Sequence, residues 1–133
     1  MIVPASLDTN MLLRLTLRDI PEQYETVKSL VTAPGARYYV ADMAVVEMVH
    51  ALMHHYGFSR AQVSEVVRAI ISDSALETNA VLLESAVACF VAHVSLSFVD
   101  CYLAEQAREC GNTPLLTFDK KLTSQHVAAQ LAR

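Results

Sequence analysis

The sequence predicts an α/β domain built on a mostly parallel sheet with helices on its faces. Short apolar runs rich in Val, Tyr and Leu alternate with longer segments of helical periodicity. Pro and Gly number only 4 and 3 in 133 residues, which leaves little chain for irregular loops. Asp8 and Asp119 each follow a short apolar run directly and should project from the same edge of the sheet, because parallel sheets gather their sites beyond the strand carboxyl ends.

The elements follow in order. Residues 2–7 form an apolar run ending at Asp8, a buried strand. Residues 9–17 read as a helix. Pro21 suits the first turn of a second helix over 21–31, because its missing N–H has no partner there anyway. Ala33-Pro34-Gly35-Ala36 stops that helix. Residues 37–40 are a second strand, and Asp42 is placed to cap a helix over 42–56. Gly57 ends it. Ser59 caps the next helix, to 72, and 75–78 are a short strand. Asn79 opens a helix to 92, and Ser97 opens another that ends near Gly111. Residues 114–118 are a strand, followed by Asp119 and a short helical turn. Residues 127–131 fit either an edge strand or a helix.

Composition sets the limits. The length suits one domain over 1–133, without repeat or linker. Apolar residues make up 53% and charged residues 18%, so either the core is generous or apolar surface is reserved for a partner. The apolar runs break well before the roughly 20 residues of a spanning helix. The N-terminus has no basic start resembling a signal peptide, and Cys89, Cys101 and Cys110 have no metal or redox spacing. A cytoplasmic protein with reduced thiols is the expectation. A net charge of −4 argues against a general duplex-DNA binder but not against a nuclease whose site is itself acidic. Arg14, Arg18, Lys120 and Lys121 could meet phosphates, although solvated surface charge is the commoner explanation for any one of them.

Four carboxylates stand out. Taken singly, Asp8 and Asp119 are ordinary helix caps, Asp100 completes a capping box with Ser97, and Glu47 is a helix glutamate. Their surroundings differ from that picture. Glu47 lies in Ala44-Val45-Val46-Glu47-Met48-Val49 and Asp100 in Phe98-Val99-Asp100-Cys101-Tyr102-Leu103, with no Lys or Arg within a helical turn. Such apolar helices are expected to be buried, and a buried carboxylate needs a partner. A divalent cation would supply one. The candidate ligands are hard oxygens, including the Thr9 and Thr117 hydroxyls, and suit Mg2+ or Mn2+ better than Zn2+.

These segments resemble a known family. Leu7-Asp8-Thr9-Asn10-Met11-Leu12-Leu13-Arg14 is similar to the opening of PIN domains of the VapC toxin type. Val45-Val46-Glu47 with Ala51-Leu52, the Ser97–Ala104 segment around Asp100, and Leu115-Leu116-Thr117-Phe118-Asp119-Lys120-Lys121-Leu122 resemble the family's later acidic segments, in order. The resemblance implies a PIN-like three-layer α/β domain and Mg2+-dependent cleavage of RNA by metal-activated water. It also implies a small antitoxin partner and an acidic quartet of Asp8, Glu47, Asp100 and Asp119. Thr9, Asn10 and Thr117 carry over as supporting residues. Asp8 and Asp100 are the first choice as direct ligands. The almost wholly apolar helix over 42–56, with Met43, Met48 and Met53, fits burial within its own domain as well as a partner surface, and it is the resemblance that implies a partner here, including a homodimer.

Other readings compete. An RNA-processing PIN nuclease needs no antitoxin. His50 and His54, one helical turn apart, could cleave RNA through its 2′-hydroxyl without metal, although surface placement is the usual fate of such histidines. Glu47-x-x-His50 mimics half a di-iron site but lacks a second copy. A phosphatase with Asp8 as nucleophile would carry an acid where Asn10 stands. A non-enzymatic interaction module leaves Glu47 and Asp100 unexplained.

Overall fold

The computed structural model describes residues 5–132, so the first part of the strand expected at 2–7 lies outside the described residues. The element order is β1 (Ala5–Ser6), α1 (Thr9–Leu17), α2 (Pro21–Thr32), β2 (Tyr38–Tyr39), α3 (Asp42–His54), α4 (Arg60–Ser72), β3 (Leu76–Glu77), α5 (Ala80–Ala92), α6 (Phe98–Glu109), β4 (Leu115–Thr117), α7 (Lys120–Gln125) and β5 (Ala129–Leu131). Every strand pairing is parallel, and helices connect the strands, as predicted. The ambiguous segment 127–131 resolves as a strand because its backbone pairs with β4 in register Leu115 to Ala129.

The chain forms two compact units, 1–80 and 81–133. In the first, β1, β2 and β3 make a three-stranded sheet in that order. Leu12, Val27, Val40, Val45, Met48, Leu52, Val63 and Val67 are fully buried here. Helix α3 buries Ala44, Val45, Met48, Val49 and Leu52, the 3.6-residue stripe of a core-facing helix, and leaves Met43, Glu47, His50 and His54 exposed. Helix α4 opens with a full capping box: Ser59 Oγ accepts from Gln62 N–H, and Gln62 Oε1 accepts from Ser59 N–H. Asp42 does not cap α3. Ala41 is the capping position, and Asp42 is the first helical residue, where its charge still favours the helix N-terminus.

In the second unit, β4 and β5 form their own two-stranded sheet. Helix α5 is apolar nearly all round and buries Leu82, Leu83, Ala86, Val87, Cys89 and Phe90. The Phe90 ring meets Phe98 edge-on, with centroids 5.6 Å apart. Ser97 Oγ caps α6 by accepting from Asp100 N–H. Gly111 ends it with φ +72°, and the bonds from Asn112 N–H to Ala107 and from Gly111 N–H to Arg108 close a Schellman turn. No helix among the described residues is long and apolar enough to cross a membrane.

Candidate active site and the family it belongs to

Two of the candidate acids, Asp8 and Glu47, lie in the first unit and two, Asp100 and Asp119, in the second. In the first unit, Leu7 N–H donates to Tyr39 O and continues the β1–β2 ladder up to Asp8. Asp8 then caps α1, its Oδ1 accepting from Met11 N–H at 2.9 Å. The next residue, Thr9, donates from Oγ1 to Glu47 Oε1 at 3.1 Å. One hydroxyl thus ties the start of α1 to the acid on α3. The threonine thereby orients the Glu47 carboxylate through one of its oxygens. Asn10 is exposed one residue further on.

In the second unit, Asp119 stands at the end of β4 and caps α7. Its Oδ1 accepts from Lys121 N–H at 2.8 Å and from Leu122 N–H at 3.3 Å. Thr117 Oγ1 accepts from Asp119 N–H at 3.0 Å, so Thr117 shapes the turn that aims this acid. Asp100 sits in the first turn of α6. Three of the four acids have one oxygen held by a backbone N–H or a hydroxyl. That fixes the carboxylate and leaves the second oxygen as a hard donor suited to Mg2+ or Mn2+.

Two expectations need correction. Glu47 is exposed and Asp100 half-buried, so burial does not oblige either to find a counter-charge. Ala44, Val45, Met48 and Val49 beside Glu47, and Phe98 and Cys101 beside Asp100, are buried, while Val99 and Leu103 share the exposed side of α6 with its acid. Asp8 and Asp119 were expected on one sheet edge. They stand instead at the carboxyl ends of two sheets, because β4 pairs with β5 and β1 pairs with β2.

A further cluster was missed. Glu105 and His126 are both buried, and His126 Nε2 is hydrogen-bonded to Glu105 Oε2. Arg108 donates to Glu105 Oε1 at 2.7 Å. With Cys89 they form a group whose ligand-capable atoms lie within 4.8 Å of one another. Cys, His and carboxylate together would suit Zn2+. The hydrogen bonds favour another reading. Ala128 N–H donates to His126 Nδ1 at 3.0 Å, which puts the ring proton on Nε2, directed at Glu105. A cation at Nε2 would have to displace that proton while Nδ1 stayed an acceptor. Arg108 already balances the Glu105 charge. The cluster is complete as a protein-only chain from Arg108 through Glu105 and His126 to the backbone. Glu105 was legible in principle, since it lies at i+4 from Cys101 on the buried face of α6; nothing local announced His126. The other expected histidine placement holds for His50, His54 and His55, which are exposed, with the His50 and His54 rings 4.4 Å apart.

Comparison with known families decides the relationship. The model of the family described as PIN domain matches residues 5–127. The chain belongs to the PIN domain family. The match spans most of the chain and includes all four acid positions of the predicted quartet. No curated protein matches the chain. As a PIN domain, the protein has the α/β fold with parallel strands and flanking helices that its sequence predicted, and it joins a family whose members are often nucleases.

Proposed function

We propose that this PIN domain is a Mg2+- or Mn2+-dependent endoribonuclease, with Asp8, Glu47, Asp100 and Asp119 serving the metal. The observation that carries the reading is the family match across residues 5–127, which takes in every one of these acids. The oxygen-only donor set fits a hard divalent cation. When bound, that ion supplies charge stabilisation at the scissile phosphate and acidifies a water. The chain's own residues do the positioning: Thr9 orients Glu47, the α1 cap holds Asp8, and the α7 cap with Thr117 holds Asp119.

The test uses purified protein and RNA. EDTA abolishes cleavage, Mg2+ or Mn2+ restores it, and the products carry 5′-phosphates. Metal also stabilises the folded protein, by about 2.7 kcal/mol at a hundred times the dissociation constant, and so raises the melting temperature. Full activity in EDTA with cyclic-phosphate ends would overturn the reading and favour His50 and His54.

We further propose the toxin role, with a small antitoxin and a homodimer. Met43, 65% exposed on α3, and Tyr56 just beyond it supply apolar surface for a partner. An antitoxin Arg would pair with the acids and compete with metal. Light scattering at tens of micromolar should report a dimer. A strict monomer, with Met43→Lys harmless to antitoxin inhibition, would refute the partner surface.

A further inference from the structure

Between α1 and α2 in the first unit, a cavity of about 580 Å³ opens beside Asp8. Its size lies within the range of roughly 300–1,000 Å³ typical of small-molecule sites. Val27, 1% exposed, forms its floor, and half-buried Met11 adds an apolar wall. Exposed Asn10 and Gln23 contribute side-chain amides, and Arg14 brings a guanidinium.

We propose that this cavity holds the base of the nucleotide next to the scissile phosphate, with Gln23 reading the base edge. The proposal rests on the nuclease reading above and names a substrate subsite for it. A nucleobase has apolar faces and a polar rim, and the cavity offers the same division. Half-buried Met11 and Ile20 meet the faces over the buried Val27, and an amide presents a donor and an acceptor side by side, as base recognition requires. The position is right as well, because Asp8 lines the same cavity.

Arg14 adds a second observation. Its Nη1 pairs with Asp19 at 3.2 Å, and its Nη2 reaches Tyr56 Oη at 3.5 Å, but its buried Nε has no hydrogen-bond partner. An unmade bond on a buried cationic donor is unfavourable. A small turn of the guanidinium toward an incoming phosphate oxygen would relieve it. A groove that receives an amphipathic helix presents a mainly apolar surface; amides beside a carboxylate and an arginine match a nucleotide better.

The experiment measures cleavage of short RNAs in Mg2+, with each base placed in turn on either side of the cut. The wild type should favour one base by roughly tenfold in kcat/KM, within what one amide–base contact supplies. Gln23→Ala should level that preference while leaving the melting temperature and metal requirement unchanged. A preference that survives Gln23→Ala overturns the subsite and leaves the nuclease reading standing. If no RNA is cut, nucleoside 5′-monophosphates are titrated against the protein by NMR. Shifts at Gln23 and Met11 that Gln23→Ala removes support the cavity while the nuclease reading falls. A cavity silent to all four nucleotides, or one answering only to an antitoxin peptide, overturns the proposal.

Discussion

Asp8→Asn and Asp119→Asn should each lower RNA cleavage by at least about 100-fold while leaving the fold in place. Loss of a group that merely orients a metal ligand typically costs 10- to 100-fold, and a ligand itself costs no less. The choice of Asn separates two roles of these residues. Asp8 and Asp119 are helix caps as well as candidate ligands. Asn caps a helix about as well as Asp, so the bonds to Met11 N–H and to Lys121 N–H persist while the negative charge is lost. Circular dichroism and the melting curve should stay near wild type, and the single-turnover rate should collapse. Asp8→Ala removes charge and cap together and should add a stability loss of about 1 kcal/mol. Wild-type rates in either Asn variant would reduce these acids to caps.

Glu105→Ala should destabilise the protein by about 3 kcal/mol, the low end for breaking a buried, charge-assisted pair. The substitution leaves the His126 Nε2–H buried without its acceptor and frees Arg108 from its partner. Glu105→Gln should lose less, because its amide oxygen still accepts from His126. Urea unfolding of both variants checks the order. A Glu105→Ala midpoint equal to wild type would mean that the chain of bonds from Arg108 to Ala128 contributes nothing. Zn2+ offers an independent control. If it raises the wild-type melt and Cys89→Ser cancels the rise, the cluster is a metal site and the protein-only account is wrong.

The two predictions differ in how far the sequence anticipates them. Asp8 and Asp119 are visible because each follows its strand within one or two residues, so a local pattern carries both the element and the functional position. Thr117 is visible for the same reason, being two residues from the acid it serves, whereas Thr9 is marked only as the neighbour of Asp8 and its bond to Glu47 is not. The Glu105–His126 pair joins residues 21 apart on separate elements. Periodicity marks Glu105 as inward-facing, but no local rule names the group it meets.

Glu47 shows the reverse failure. Its apolar neighbours suggest burial, yet α3 turns 100° per residue, so Val45, Met48 and Val49 can point inward while Glu47 points out. A run of apolar letters averages over faces that a helix separates.

Sequence by itself determined the order of helices and strands up to residue 126, the caps at Ser59, Ser97 and Asp119, the parallel α/β class and the place of Asp8 and Asp119 just after strands. These follow from interactions spanning a few residues: capping bonds, turn glycines and hydrophobic period. Tertiary structure decided that β4 pairs with β5, that Thr9 reaches Glu47 across 38 positions, and that His126 is buried against Glu105. It also decided that a cavity opens beside Asp8. Each of these depends on side chains distant in sequence filling one volume, and their partners are chosen by packing and by the need to satisfy buried polar groups.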